Sequence, residues 1–193
     1  MRHSDLRQRL LRAAEQEIAL NGLAKASLRA IARRVGVTHQ VTAHHFEDRA
    51  GLFTALAVEG FELLADRSRE AAASAAPEGG GQVVAAALAY AEFALRHPTM
   101  FDVMFRPELL HVDDEDLLAA RRAHREQTVA LVATAQEHGW GVAVPTEELA
   151  TMGWAAVHGL AVLRRDEQLS AVHADVELTA MLPRVAAALA ALG

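Results

Sequence analysis

The sequence predicts an all-α protein. Alanine is abundant, β-branched residues are scattered, and no stretch alternates between apolar and polar side chains with the period of two that a half-buried strand requires. Glycine and proline clusters separate segments that are long enough for helices. We therefore expect helices joined by loops, and no sheet.

The first predicted helix is amphipathic. From Leu6 to Ile18 an apolar residue recurs at every fourth position, which places these side chains on one helical face. Asn21-Gly22 follows, and such a pair commonly ends a helix because glycine adopts the left-handed backbone readily. The helix is therefore expected to end at this pair.

Two short helices are expected next. Ser27 is placed to cap the start of a helix that runs through Arg34, and Gly36 interrupts it. Thr38 can then cap a third helix that reaches about His45. The pattern is helix, glycine turn, helix within twenty residues.

The remainder of the chain also has helical patterns. Asp48 can start a fourth helix, with Leu52, Leu56 and Leu64 in its apolar stripe. This helix is expected to end before Pro77. Further helical segments are predicted over about residues 82–96, 113–138, 147–165 and 174–191, with a short segment at residues 99–105 after the first of them.

Composition limits the class of protein. About half of the 193 residues are apolar and under a quarter are charged, which is typical of a well-packed domain. No run approaches the roughly 20 apolar residues that cross a bilayer, and the first residues do not have the pattern of a signal peptide. The chain has no cysteine, so disulfide and thiolate chemistry are excluded. A cytoplasmic location is the expectation.

Charge is distributed unevenly along the chain. Residues 1–50 carry nine Lys or Arg against five Asp or Glu, a net of +4, whereas residues 51–193 carry ten against twenty, a net of -10. A basic head on an acidic body suggests that only the head meets a polyanion. We accordingly expect two domains, residues 1–50 and residues 51–193.

The glycine turn has the residue types of a helix-turn-helix. Ala32 is small where the two helices must cross closely, and Gly36 lies where the turn requires a left-handed backbone. Ile31, Val35 and Val37 supply the apolar side chains beneath the turn. An ordinary helical hairpin remains an alternative, because any Ala-x-x-x-Gly in an alanine-rich chain fits part of this pattern.

The flanking sequence is more specific. "LLRAAEQEIALNGLAKASLRAIARRVGV" followed by "HHFEDRAGLFTAL" resembles the N-terminal domain of TetR/AcrR-family transcriptional regulators over about residues 6–56. "WAAVHGLAVL" (Trp154–Leu163) is similar to a segment in the ligand-binding part of some members. The features shared with the N-terminal domain fall on Gly22, Ser27, Ile31-Ala32, Gly36-Val37, Thr38–His45, Phe46, Arg49 and Leu52.

The resemblance implies a DNA-binding role for the head. The third helix would lie in the major groove and the second would cross the backbone. Contacts to phosphate are then expected from Ser27, Arg29, Thr38, His44 and Arg49. Contacts to base edges are expected from His39, Gln40, Thr42 and Ala43.

This chain departs from the family at two positions of the third helix. Thr42 and Ala43 stand where the family usually carries Leu and Tyr, and the tyrosine hydroxyl commonly reaches a phosphate. Ala43 cannot make that contact, so His44 is the expected substitute. Arg49 replaces the lysine that opens the fourth helix in the family and preserves the charge.

Three histidines close together raise the alternative of a metal site. His44 and Asp48 are four residues apart, a spacing that could share an ion. Phe46 ends the helix between them, and no third ligand is placed in the sequence. We therefore expect His39, His44 and His45 to form a surface or packing group, with no metal and no cofactor.

The body is expected to bind a small molecule. Aromatic and sulfur side chains concentrate in two regions, and core packing alone could explain them. Regulators of the family bind a ligand within the helical body, so the resemblance implies a pocket. The candidate ligand-binding residues are Tyr90, Phe93, His97, Phe101, Met104, Phe105, Trp154 and His158.

The function implied is that of a homodimeric, ligand-responsive transcriptional regulator, most simply a repressor that a small molecule releases from its operator. The surplus apolar surface of the last two long helices favours dimerisation through them. The chain has no nucleophile elbow, HExxH motif, P-loop or dinucleotide fingerprint, so an enzyme is not expected. The rival interpretation is a helical small-molecule-binding protein, or an enzyme, whose head has lost DNA binding.

Overall fold

The computed structural model describes residues 2–169 and 177–192, and its regular structure in those ranges is entirely helical. This confirms the predicted fold class. The predicted start of the last helix, at about residue 174, lies outside the described residues. The longer helices, numbered here in chain order, are α1 (Arg2–Asn21), α2 (Leu28–Val35), α3 (His39–Phe46), α4 (Arg49–Ala73), α5 (Gly81–Arg96), α6 (Pro98–Met104), α7 (Glu115–Glu137), α8 (Thr146–Arg165) and α9 (Leu178–Ala190).

The chain forms two compact units. Unit 1 comprises Met1–Phe61 and Thr99–Arg121, and unit 2 comprises Glu62–Pro98 and Arg122–Gly193. A segment beyond residue 98 therefore joins the N-terminal helices in one unit, which the linear charge pattern does not indicate. The assignment of residues 1–50 to DNA binding and of 51–193 to ligand binding and dimerisation stays a functional prediction.

Local capping defines α2 and α3. The Ser27 hydroxyl accepts a hydrogen bond from the Ala30 N–H at 3.2 Å, and Thr38 accepts one from the Val41 N–H at 3.4 Å. Gly36 adopts φ 76° and ψ 32°, the left-handed conformation expected of it. These three residues confirm the predicted helix boundaries and fix the turn between the two helices.

The three N-terminal helices pack around an apolar core. α2 contacts both α1 and α3. Leu10, Ile31 and Leu52 are fully buried, and Phe46 at the end of α3 is nearly so. Burying these side chains holds a helix as short as α3, which would not be stable by itself.

An ion pair also joins α1 to α2. The Arg34 guanidinium donates to the Glu17 carboxylate, with Nη2 to Oε2 at 2.6 Å, and Asn21 donates to the other carboxylate oxygen at 2.9 Å. The Arg34 hydrogen bond is the main reason that the pKa of Glu17 lies below its ordinary value, and burial of the carboxyl opposes it. Arg34 therefore serves the fold of unit 1.

Unit 2 is built around α5, α8 and α9, which contact one another in all three pairs. The connection between α7 and α8 is closed by Gln136, whose side-chain amide donates to the carbonyls of Gly141 and Val144 at 2.9 and 2.8 Å. Thr146 donates its hydroxyl back to Gln136 at 2.6 Å. None of the helices in the described part of the chain combines the length and apolar character that spanning a membrane requires.

Candidate nucleic-acid interface and ligand cavity

The outer surface of α3 is polar. His39, Gln40 and His44 are exposed and Ala43 is half-buried. Gln40, Ala43 and His44 follow the spacing i, i+3 and i+4, so they share one helical face. The opposite face, which carries Thr42 and Phe46, is buried. The structure thus brings most of the predicted base-reading residues together on one side of a short helix.

Thr42 is a correction to the predicted set. It is fully buried, and its hydroxyl donates to the Thr38 carbonyl within α3 at 3.4 Å. A side chain with no exposed surface cannot reach a base edge from this position. Thr42 instead lies on the buried face of α3 together with Phe46.

The predicted phosphate-binding residues on either side of α3 are placed differently from one another. Ser27, Arg29 and Thr38 are exposed at the start of α2 and α3. Ser27 and Thr38 accept hydrogen bonds as helix caps, and a hydroxyl that accepts one bond can still donate its own hydrogen to a phosphate oxygen. Capping and phosphate binding are therefore compatible at both positions.

Arg49 is engaged within unit 1. Its guanidinium lies over the Phe53 ring, with Cζ 4.9 Å from the ring centroid, and donates to the Leu23 carbonyl. The side chain is half-buried. Arg49 therefore fixes the start of α4 to the connection between α1 and α2, and its contact with phosphate stays a prediction.

Asp48, the residue considered as a metal partner for His44, has other partners. Its Oδ1 accepts from the Gly51 N–H at 2.8 Å and lies 2.9 Å from Nε2 of His111. The Gly51 bond is the largest cause, ahead of the interaction with His111, of an Asp48 pKa below its ordinary value. Across residues 2–169 and 177–192, no three His, Asp or Glu side chains are grouped closely enough to hold a metal ion.

Unit 2 contains a cavity of about 90 Å³. Its lining residues come from α4, α5, α7, α8, α9 and the connection between α7 and α8. They are Ser68, Val83, Ala86, Ala87, Tyr90, His124, Gln127, Thr128, Leu131, Val132, Trp140, Leu149, Ala150, Gly153, Trp154, Val157, Leu182, Val185, Ala186 and Leu189.

Two of the eight predicted ligand-binding residues line this cavity, Tyr90 and Trp154, and His158 is bonded to one of them. Phe93 and His97 stack on each other, with ring centroids 5.1 Å apart, and are not part of the lining. They follow Tyr90 by three and seven residues on the same side of the helix, but nearer its C-terminal end, and the part of α5 that lines the cavity ends at Tyr90.

The other three predicted ligand-binding residues belong to unit 1. Phe101 and Phe105 are in ring contact with centroids 5.0 Å apart, and Met104 is fully buried. Met104 packs so closely on Gly60 that an added Cβ there would lie 2.5 Å from its sulfur. Phe101 and Met104 lie in the core of unit 1 and Phe105 is half-buried, so none of the three lines this cavity, and their contact with a ligand stays a prediction.

The polar residues of α7 are the part of the cavity that sequence reasoning missed. His124, Gln127, Thr128 and Leu131 follow the spacing i, i+3, i+4 and i+7, which places one face of α7 along the cavity. That spacing is visible in the sequence, but it is also typical of any buried helix face. Nothing in the sequence alone pairs this face with Tyr90.

Tyr90 is the centre of a hydrogen-bonded group in unit 2. Its hydroxyl oxygen is 2.7 Å from Nδ1 of His158, and Trp154 also hydrogen-bonds to it. Indole nitrogen can only donate, so the tyrosine oxygen accepts from Trp154 while it is also hydrogen-bonded to His158.

Burial keeps the ionisable groups around the cavity uncharged. It raises the pKa of Tyr90 and lowers the pKa of His124 below its ordinary value. Burial also lowers the pKa of His158, and the positive charge of Arg165 adds to that effect. All three side chains are therefore neutral at neutral pH.

The comparison with solved structures finds the same fold over almost the whole chain. A protein of unknown function from Rhodococcus sp. RHA1 is 31% identical, with a TM-score of 0.81 over 96% of this chain and 95% of that one. The TetR family transcriptional regulator PfmR from Thermus thermophilus is 16% identical, with a TM-score of 0.71 over 94% and 97%. The multidrug binding protein EbrR, solved with imidazole, is 22% identical, with a TM-score of 0.63 over 98% and 92%.

Family models match both parts of the sequence. The model described as bacterial regulatory proteins, tetR family, matches residues 10–56, and the model described as tetracyclin repressor-like, C-terminal domain, matches residues 83–189. A comparison with curated proteins gives no match. The first model covers the capped α2–turn–α3 segment, and the second covers most of the helices around the cavity. The chain therefore belongs to the TetR family of bacterial regulatory proteins, with a DNA-binding N-terminal domain and a ligand-binding C-terminal domain.

Proposed function

We propose that this protein is a homodimeric, cytoplasmic transcriptional repressor, which binds operator DNA through α3 and leaves it when a small molecule enters the cavity of unit 2. The observation that carries the DNA-binding part is the polar face of α3, where Gln40 and His44 are exposed beside two capped helix N-termini. A short helix with an exposed polar face and a buried apolar face is suited to the major groove.

Gln40 is the proposed reader of a base. A glutamine amide can pair with N6 and N7 of adenine, and such a pair is worth about 1–3 kcal/mol of discrimination. His39 and Ala43 flank it on the same surface, and a methyl group such as that of Ala43 can contact thymine. Ser27, Arg29, Thr38, His44 and Arg49 are the proposed phosphate contacts.

The test is binding to the DNA upstream of the protein's own gene. Gln40→Ala should weaken binding to that fragment by roughly 5- to 150-fold, the range that corresponds to the loss of one base-reading pair. Gln168→Ala changes an exposed glutamine of unit 2 and is the matched control. Equal binding by the wild type and Gln40→Ala would contradict the base-reading role of Gln40. No binding by the wild type would favour the rival function of a ligand-binding protein whose head has lost DNA binding.

The proposed dimer uses α8 and α9. Trp154 and Leu163 on α8 are 41% and 42% exposed, a large apolar surface for a helix that already packs on α5 and α9. A two-fold symmetric interface would bury it. Sedimentation should show a species of twice 20.8 kDa for the wild type and a monomer for Leu163→Asp. A monomeric wild type at micromolar concentration would contradict the proposal.

The proposed release mechanism is a shift between two populations. A dimer binds two successive major grooves only when its recognition helices are about 34 Å apart. A ligand that binds more tightly to a state with another spacing lowers the population that binds DNA. Catalysis has no part in this mechanism.

A further inference from the structure

The described part of the lining of the unit 2 cavity carries no acidic side chain, lysine or arginine. Of its two ionisable lining residues, Tyr90 is buried and His124 is half-buried. An ionic ligand would lose its hydration on entry and find no counter-charge, which is costly in an apolar environment.

The lining is nevertheless not purely apolar. His124, Gln127 and Thr128 lie on one face of α7, and Ser68 is contributed by α4. The Gln127 amide donates to the Ala65 carbonyl at 2.9 Å, which joins α7 to α4 on this side. The residues from α8 and α9 are mainly apolar. The cavity thus presents hydrogen-bonding groups on the α4 and α7 side and apolar side chains on the others.

Thr128 is suited to receive a ligand hydroxyl. Its own hydroxyl donates to the His124 carbonyl at 2.9 Å, which leaves the lone pairs of the oxygen to accept. Tyr90 is less suited, because its hydroxyl is already shared between Trp154 and His158.

From these features we propose that the cavity selects small, uncharged, mainly apolar molecules that carry one hydrogen-bonding group, and that Thr128 helps to bind that group. The size is set by the volume of about 90 Å³. An apolar cavity of about 150 Å³ is known to admit benzene, so this smaller cavity admits a single ring only if some side chains move, and a larger molecule requires more movement. The inference rests on the proposed role of the cavity as the effector site.

The test uses four probes that share one ring: benzyl alcohol, toluene, benzoate and benzylammonium. Both tryptophans of the chain, Trp140 and Trp154, line the cavity, so intrinsic fluorescence reports its occupation directly. At pH 7.5 benzyl alcohol should change the fluorescence saturably. Benzoate and benzylammonium should bind at least about 100-fold more weakly, because their charge is not compensated. An ion that binds as tightly as the alcohol, or a cavity that binds no probe, overturns the inference.

The hydrogen-bonding part is tested with two threonine variants. Thr128→Val should lower the affinity for benzyl alcohol relative to toluene by about 5- to 10-fold, the effect of one hydrogen bond. Thr151→Val is the matched control, because Thr151 makes the same bond, to the Glu147 carbonyl at 2.7 Å, but is exposed and not part of the lining. An unchanged ratio in Thr128→Val overturns the role of Thr128.

The same probes separate this inference from the proposed function. Benzyl alcohol that binds the cavity but leaves DNA binding unchanged would support the ligand class and contradict ligand-induced release. DNA binding that persists in a protein whose cavity rejects all four probes would contradict the ligand class and leave the repressor proposal standing.

Discussion

The two candidate sites differ in where their residues come from and in which direction they face. The site on unit 1 is formed mainly by consecutive residues between Ser27 and His44, and its polar side chains point outward. The cavity in unit 2 collects residues from Ser68 to Leu189 and faces inward. Outward-facing groups can carry charge at little cost, whereas the described lining of the cavity contains no Asp, Glu, Lys or Arg. Four predictions test this contrast.

The largest effect is expected when the same charge is introduced at both sites. Val157 is 6% exposed and lines the cavity, so Val157→Asp should lower the free energy of unfolding by roughly 3 kcal/mol or more. His39 is exposed at the N-terminus of α3, where an acidic side chain is favourable. His39→Asp should therefore change stability by less than about 0.5 kcal/mol.

Urea unfolding followed by circular dichroism measures both values. His39→Asp should in addition weaken DNA binding, because a carboxylate is placed beside phosphate. Similar losses of stability in the two variants would show that the contrast between inward and outward sites is mistaken.

Two glycines with the same backbone conformation give the next largest difference. Gly36 in unit 1 has φ 76°, and Gly80 in unit 2 has φ 73°. An added Cβ at Gly36 meets nothing within 4 Å, whereas at Gly80 it would lie 2.5 Å from Nε1 of Trp140. Gly36→Ala should cost about 1 kcal/mol for the backbone alone. Gly80→Ala should cost roughly 2–4 kcal/mol, because overpacking against the indole is added.

Thermal unfolding of the two alanine variants tests this order. Gly80→Ala should also disturb the fluorescence of Trp140, and Gly36→Ala should not. Equal costs would mean that Trp140 moves aside easily and that the cavity wall is less rigid than its packing indicates.

Acid should weaken unit 2 before it weakens unit 1. Burial lowers the pKa of His124 and His158, so the unfolded chain binds more protons than the folded one once the pH falls below about 6.5. Stability is then lost progressively towards the lower pKa values of the folded state. In unit 1 the pKa of Glu17 is lowered, so the contribution of its pairing with Arg34 persists until the pH approaches the ordinary carboxyl value near 4.5.

Hydrogen exchange measured at pH 7.5 and 5.5, with correction for the intrinsic rates, tests whether acid lowers stability and in which helices it does so. Amides of α7 and α8 should lose protection at pH 5.5, and amides of α1 and α2 should keep theirs. His124→Gln should reduce the loss, and His138→Gln, at the exposed end of α7, is the control. A loss confined to α1 and α2 would reverse the expected order.

The smallest effect is expected at Thr42. Because its side chain is buried within unit 1, Thr42→Val should change DNA affinity by less than about 2-fold, and stability by no more than about 1 kcal/mol for one weak hydrogen bond. A gel shift with the same DNA fragment measures it. A large loss of sequence preference would restore Thr42 to the set of base-reading residues.

The sequence alone determined the parts of this protein that depend on short-range chemistry. Ser27 and Thr38 as caps, and Gly36 as the left-handed turn residue, are signals that act within four residues, and the helix boundaries they predict are those observed. The resemblance over residues 6–56 identified the family for the same reason, since its features lie in an unbroken local pattern.

Only the tertiary structure decided which side chains meet. In unit 1 it placed Phe101 and Met104 in the core and buried Thr42. It also engaged Arg49 with Leu23 and Phe53. In unit 2 it brought His124 and Thr128 of α7 into the cavity that Tyr90 and Trp154 line. Aromatic, sulfur and polar residues at helical spacing fit a core and a ligand site equally well in sequence. Packing between segments far apart in the chain selects one of the two, and that information is not carried by any single segment.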